Sequence, residues 1–190
     1  MTVDPYVDPA SGVLRNRLCI ADAQRLCEVD AGLTRAALAD LDTRILPGGY
    51  DLAHLRCFHR EIFGDLYPWA GDIRVVGIAR SDPFCLPQHI EAYSADVFDA
   101  LAKERYLRGL SRDRFIDRLT HYFAEVNAIH PFREGNGRTQ RAFFRQLGRE
   151  AGWFIDWSSL DPDSNAHASK ASLRGDNGPL RTLLDSLLSF

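Results

Sequence analysis

An all-α fold, a helical bundle carrying one small β-hairpin, is what the sequence predicts, and three observations carry that reading. Apolar residues recur at spacings of three and four in one segment after another. Proline and glycine cluster at the joints between those segments. A single short β-branched stretch, Ile73 to Ile78, interrupts the helical pattern. With 190 residues, 45% of them hydrophobic and 11% aromatic, the chain can bury a substantial core. No internal repeat, low-complexity tract or long linker divides it, so one domain is expected. Residues 1–50 form an N-terminal arm and helix, 51–150 the core with the hairpin, and 151–190 the C-terminal helices.

Taken in order, Tyr6 to Asn16 holds turn formers at Asp8-Pro9 and Ser11-Gly12 and reads as an irregular packed arm. Asp22 caps a helix to about Asp42 whose apolar stripe is Leu26, Val29, Leu33, Ala37 and Leu41. Pro47-Gly48-Gly49 breaks the chain, and Asp51 caps the next helix, with Leu52, Leu55, His59, Ile62 and Phe63 on its apolar face. His59 there reads as a hydrogen-bonded core histidine. The helical pattern stops at Tyr67-Pro68-Trp69-Ala70-Gly71, and Ile73 to Leu86, turning at Ser81-Asp82-Pro83, reads as the hairpin. An isolated hairpin is marginal in water, so it must lie on the helices. Gln88 to Arg105 returns to helix. Ser111 and Asp113 open another, with Phe115, Ile116, Leu119, Tyr122, Phe123 and Val126 inward, that runs into His130. Arg138 to Arg149 forms a further helix stopped near Gly152. Trp153 to Trp157 is a short apolar connector, and helices follow over Leu160–Leu173 and Leu180–Leu188 around a Gly175-to-Pro179 turn.

The formal charge of -3 lacks the broad basic surface of a nucleic-acid or anionic-membrane binder, so neither partner is expected. Cys19, Cys27, Cys57 and Cys85 are widely spaced without a C-x-x-C pair, which suits reduced, partly buried side chains rather than zinc or redox chemistry. No basic-then-apolar leader opens the sequence, and a cytoplasmic protein is expected; delivery into another cell would leave no obvious trace.

Any anion site must therefore be local, and His130 to Arg141 supplies one: His-Pro-Phe-Arg-Glu-Gly-Asn-Gly-Arg-Thr-Gln-Arg. Pro131 biases His130 away from helical geometry and sets its imidazole at a helix-loop junction, where it can act as a general base. Gly135 and Gly137 let backbone N–H groups approach a phosphate just ahead of a helix N-terminus, and Asn136 adds a side-chain donor. Arg138 and Arg141 lie one turn apart on one face, placed to hold two phosphates. Glu134, the only carboxylate in this cationic nest, suits a Mg²⁺ ion bridging nucleotide phosphates. Phe132 reads as a core anchor. Arg145 and Arg149 continue the arginine stripe; Arg149 reads as a solvated, paired side chain, and Arg145 as able to reach an acidic partner docked over the nucleotide mouth.

This stretch resembles the signature of the Fic family, His-x-Phe-x-(Asp/Glu)-Gly-Asn-Gly-Arg-x-x-Arg, at every defined position. Tyr6…Gly12-Val13-Leu14-Arg15-Asn16, Tyr67-Pro68-Trp69-Ala70-Gly71-x-x-Arg74 and Phe84 agree as well. The resemblance implies a Fic fold with a hairpin flap over its active site, transferring AMP from ATP to a Tyr, Thr or Ser hydroxyl of a target protein with release of pyrophosphate. It implies His130 as the base, Glu134 as the Mg²⁺ ligand, Gly135, Asn136 and Gly137 around the α-phosphate, and Arg138 and Arg141 on the β- and γ-phosphates. The flap, with Val76, Gly77, Ile78, Arg80, Ser81 and Phe84, would dock an extended target segment by strand addition. Many relatives carry Lys-Gly near Arg80-Ser81, so the resemblance extends to the chemistry and not to target choice. Doc-like relatives, which use ATP as kinases, replace the second motif glycine with lysine, and Gly137 argues against that alternative. A nucleotide-binding module without activity is disfavoured because base, metal ligand and both arginines are present.

Many Fic proteins also carry an inhibitory helix, (Ser/Thr)-x-x-x-Glu-(Gly/Asn), whose glutamate pairs with the second motif arginine. No glutamate in this chain fits that pattern, and the nearest imitation, Ser172 with Asp176-Asn177, reads as a helix-ending turn. The expectation is a toxin-like enzyme restrained by a small antitoxin-like protein that supplies the glutamate in trans.

Overall fold

The computed structural model describes residues 4–79 and 82–189. Helices α1 (Ala23–Thr43), α2 (Leu52–Phe63), α3 (Ile90–Lys103), α4 (Arg112–Ile129) and α5 (Asn136–Ala151) precede strand β1 (Phe154–Ile155), helices α6 (Pro162–Leu173) and α7 (Gly178–Ser186), and strand β2 (Leu188–Ser189). The capping residues act as their types require. Asp22 accepts from Arg25 N–H and Asp51 from His54 N–H, closing the first turns of α1 and α2. Gly152, at φ 90°, takes the left-handed conformation that ends α5.

The core is built on α4 and α5. Phe115, Ile116, Leu119, Tyr122, Phe123 and Val126 are all buried, as their spacing predicts, and Phe143, Phe144 and Leu147 of α5 are fully enclosed. α2 packs on α1 and α5, α3 on α4, and α6 and α7 on α4. The stripe expected on α1 is displaced: the buried positions are Leu26, Asp30, Thr34 and Leu41, whereas Leu33 is 37% exposed. Two polar residues occupy that face because they have work on α5, described below.

β structure differs from expectation in place. The two-stranded sheet pairs β1 with β2 antiparallel, Phe154 opposite Ser189 and Ile155 opposite Leu188, where the sequence suggests a connector and a helix end. Among the described residues of 73–86, the hairpin shows an isolated bridge between Ala79 and Pro83 and a bond from Phe84 N–H to Ile78 C=O of 3.3 Å. The β-branched residues there are held extended by the body rather than by a ladder. Arg74 N–H donates to Pro131 C=O, Cys85 N–H to Ala128 C=O, and Val75 N–H to the Tyr6 hydroxyl.

Candidate active site

α4 ends at His130, whose left-handed backbone (φ 47°, ψ 61°) turns the chain sharply into the motif. Two contacts among the described residues help to fix its imidazole. Nδ1 lies 3.2 Å from Asn127 C=O, an oxygen that can only accept, so Nδ1 carries the proton and the neutral ring keeps its lone pair on Nε2. The Phe84 ring stacks on the imidazole at 3.7 Å, bringing the flap directly over it.

Beneath this junction sits Arg74, 1% exposed and, among the described residues, hydrogen-bonded to backbone carbonyls alone: Nε to His130, Nη1 to Val76, Nη2 to Cys85 and Ile129. The last carbonyls of α4 carry the negative end of its dipole, which accommodates a cation there. Arg74 thus ties both legs of the flap to the backbone of His130.

The loop after His130 is shaped by its own side chains. Asn136 Oδ1 accepts from Phe132 N–H at 2.9 Å and Nδ2 donates to Phe132 C=O at 2.7 Å. Both ends of the amide are thereby engaged, so the side-chain donor expected for a phosphate is occupied in closing the loop. His59 is the core histidine its position suggests: Nδ1 accepts from Gly71 N–H at 2.8 Å, so Nε2–H donates to Glu134 C=O at 3.0 Å. Its ring stacks on Phe132 at 3.9 Å, and burial lowers its pKa to about 4. Gly135 stands at φ 80°, and an added Cβ would lie 2.2 Å from the Phe63 ring. Immediately afterwards the first turn of α5 presents backbone N–H groups that no helical carbonyl can satisfy.

Two guanidiniums flank that turn under different conditions. Arg138 is already engaged: it pairs with Asp30, lies 3.0 Å from Thr34 Oγ1, and covers the Phe63 ring at 4.7 Å. Asp30 also accepts from the Tyr67 hydroxyl at 2.9 Å. Asp30 and Thr34 are site residues the sequence reading missed; two polar residues four apart on the inward face of α1 were the available signal. Arg141 has no hydrogen bond or ion pair among the described residues, and burial together with Arg138 lowers its pKa. Glu134 accepts from Gly135 N–H at 2.9 Å, is 3.7 Å from Arg138, and keeps its side chain 46% exposed.

These groups open onto a cavity of about 780 Å³. His130, Glu134, Gly135, Asn136, Gly137, Arg138 and Arg141 all line it, as do Ile78 and Phe84 of the flap. Val76 lies outside it, its carbonyl held by Arg74, and Gly77 is exposed. Arg80 and Ser81 lie outside the described residues. A whole wall, Trp157, Leu160 and the α6 face with Asn165, Ser169 and Lys170, escaped the sequence reading because its spacing is that of any packed helix. The stripe on α5 divides after Arg141. Arg145 pairs with Asp42 and Arg149 donates to Asp42 C=O at 2.7 Å, lining a separate small cleft at the end of α1. Arg145 therefore ties α5 to α1 and does not line the large cavity, so it is not placed to meet a partner docked over that mouth. Asp176 accepts from Gly178 N–H at 3.0 Å in the α6–α7 turn, within the turn its sequence suggests.

Residues 49–147 match the model of the Fic/DOC family. The chain belongs to this family. It is 40% identical over 182 residues to the protein adenylyltransferase VbhT of Bartonella schoenbuchensis, covering 95% of this chain and 38% of that protein. It is 37% identical over 187 residues to a probable protein adenylyltransferase, Fic, of Salmonella typhimurium, covering 98% of this chain and 92% of that protein. Among solved structures, the N-terminal Fic domain of a VirB-translocated Bep effector protein from Bartonella quintana, with bound ADP, superposes at a TM-score of 0.90 with 28% identity, covering 97% of this chain and 94% of that one. No described helix is long and apolar enough to cross a membrane.

Proposed function

We propose that this Fic protein is an adenylyltransferase that moves AMP from ATP to a hydroxyl side chain of a target protein. The observation that carries the reading is Arg141, a desolvated cation on the cavity wall without a carboxylate partner among the described residues, one turn into α5 and facing the same space as His130. A buried charge left in this condition is costly until an anion meets it, and a nucleotide's terminal phosphates are anions of the right reach. ATP is then held by the α5 amide turn with Arg138 and Arg141 along its β- and γ-phosphates, leaving its α-phosphorus beside His130.

In the transfer, His130 Nε2 takes the proton of the acceptor hydroxyl. The oxygen bonds to the α-phosphorus as the α,β-bridging bond breaks, and pyrophosphate leaves with the electron pair. The site contributes chiefly alignment and neutralisation of the charge that develops on the departing phosphates. Magnesium fits the donor set: a single half-exposed carboxylate, Glu134, and no cluster of three or more ligating side chains among the described residues suit an ion that completes its shell with phosphate oxygens and water. When bound, it would neutralise charge on the nucleotide phosphates. Phe84, stacked on His130, and Ile78 place the flap where an extended target segment can present its hydroxyl. Restraint by a separate small protein is part of the same proposal, because an inserted glutamate would satisfy Arg141 in place of phosphate.

Incubation of a lysate with ATP labelled in the α-phosphate, and separately in the γ-phosphate, tests the reading. Label should pass to protein from the α position only and vanish with His130→Ala. Transfer from the γ position instead would establish kinase chemistry and overturn it.

A further inference from the structure

Arg138 and Arg141 line the same cavity one turn apart, yet of the two only Arg138 is bound by a carboxylate from another helix among the described residues. That carboxylate, Asp30 of α1, is 7% exposed, and Thr34 and Tyr67 beside it are each 2% exposed. A count of donors shows what the pairing leaves over. Arg138 Nη1 donates to Asp30 Oδ1 and to Thr34 Oγ1 at 3.0 Å, and Nη2 reaches Asp30 Oδ2 at 3.4 Å. Thr34 spends its own proton on the Asp30 carbonyl at 2.7 Å, which leaves its oxygen to accept. The end-on edge of the guanidinium is thus committed to α1. Its side-on edge, Nε with the second proton of Nη2, makes no hydrogen bond among the described residues, and Glu134 stands 3.7 Å from Nη2.

The carboxylate that grips this arginine is itself braced. The Tyr67 hydroxyl donates to Asp30 Oδ2 at 2.9 Å, and it keeps its proton because burial, and then Asp30 itself, raise its pKa. The Phe63 ring lies 4.7 Å from the centre of the guanidinium and supports its face. A carboxylate acting as a brake would have to release Arg138 before phosphate could bind, and each of these contacts opposes release. Held as it is, the guanidinium offers an anion one edge in one orientation, the fork that suits a bidentate phosphate contact.

We propose that Asp30 is a positioning residue for the transfer, anchoring the end-on edge of Arg138 so that its side-on edge, Nε and Nη2, meets the departing phosphates of ATP at a fixed angle. The proposal deepens the adenylyl-transfer reading and rests on it for the identity of the anion. Because Asp30 also offsets the charge of Arg138, its contribution is alignment as the bridging bond breaks rather than attraction for ATP in the ground state.

Two quantities test this in the full chain: turnover, as α-label passed from saturating ATP to lysate protein, and ATP affinity, by calorimetry in Mg²⁺. Asp30→Asn keeps the shape and removes the charge; Thr34→Val removes the second acceptor at almost the same volume. Asp30→Asn is expected to slow turnover roughly 10- to 100-fold, the order that misalignment costs, while ATP binds as tightly as to wild type or more tightly. Thr34→Val should show the same split to a smaller degree, and it decides the matter should Asp30→Asn fail to fold. In an Arg138→Lys background Asp30→Asn should cost no further turnover, because the fork it orients is gone. Faster turnover in Asp30→Asn would make the carboxylate a brake, unchanged turnover would leave it structural, and parallel loss of turnover and affinity would make Arg138 a simple binding charge; each overturns the proposal. NMR of arginine-labelled protein reads the anchoring without any transfer. Restricted rotation should keep the Arg138 Nη protons separately resolved in wild type and let them merge in Asp30→Asn, and ATP should shift Nε while leaving Nη1 in place. Those signals with no α-label reaching protein would overturn the transfer reading and leave the positioning of Arg138 standing, whereas α-label transfer by a chain whose Arg138 rotates freely would do the reverse.

Discussion

Arg74 holds four backbone carbonyls and no carboxylate among the described residues, so its charge is balanced by peptide dipoles at the end of α4. Burial lowers its pKa, and the fork of the guanidinium is what reaches oxygens on both legs of the flap and on His130 at once. Lysine cannot reproduce that geometry, and methionine leaves the oxygens unpaired at about 1–3 kcal/mol each where they stay dry. Arg74→Met is therefore expected to lower urea stability by about 3 kcal/mol or more, with Arg74→Lys intermediate and both impairing turnover through a displaced His130. His59 makes a different demand. The unfolded ring takes a proton near pH 6.5 and the folded ring only near pH 4, because burial disfavours the cation. The folded chain thus binds fewer protons in that window, so the contribution is complete above pH 6.5 and is lost as pH falls to about 4. It is on the order of 3 kcal/mol. Burial shifts His54 in the same direction, so the informative measurement is a difference: urea unfolding of wild type against His59→Gln should converge as the pH drops through this window.

The start of α5 shows how two glycines in one motif answer to different causes. Gly135 is conformational and steric at once, at φ 80° with the Phe63 ring 2.2 Å from where a Cβ would be. Gly137 has no such backbone, and a Cβ there would lie 3.3 Å from Arg141 Nη1, the group proposed to meet the ATP phosphates. Gly135→Ala is expected to destabilise by about 2–4 kcal/mol. Gly137→Ala should leave thermal stability equal or slightly raised, since alanine is the better helix former, while weakening ATP binding. Thermal unfolding alongside ATP titration checks both, and matching losses in the two variants would contradict the assignment. Helices of this kind were legible from sequence wherever period, cap and stop agreed, as in α2, α4 and α5. The inward face of α1 was not, because Asp30 and Thr34 are buried against Arg138, a partner 108 and 104 residues away respectively. The flap was legible in position: its β-branched residues signal extended backbone, and nothing in a local pattern reveals that Arg74 and Tyr6 help to hold it so alongside the Ala79–Pro83 bridge.

At the scale of the molecule, the motif is a local sequence feature and the cavity is not. His130 to Arg141 could be read as a base beside an anion cradle because those twelve residues create most of their own geometry. The wall facing them comes from α4, the connector and α6, and its place depends on α7 packing on α4 and α6 and on β2 pairing with β1. That packing buries Trp157, Ala168, Leu180, Leu184, Leu187 and Leu188, with Arg112 reaching Asp185 and Arg181 reaching Asp117 from one helix to the other. The exposed ion pairs add little, whereas each large apolar side chain contributes about 1.5–3 kcal/mol. Together the apolar group rivals the roughly 5–15 kcal/mol that typically separates folded from unfolded chains. The segment matching the family model ends at residue 147, before any of these apolar residues. A chain cut after Asp156 would therefore keep the entire motif and the flap, yet it should lose near-ultraviolet dichroism, unfold without a cooperative urea transition, and bind neither ATP nor tripolyphosphate. If it instead unfolds cooperatively and binds tripolyphosphate, the motif core is self-sufficient and the C-terminal helices serve the nucleoside alone. Arg112→Ala supplies the control, cutting one tie between α4 and α7 while leaving the apolar contact, and should behave almost as the intact chain does.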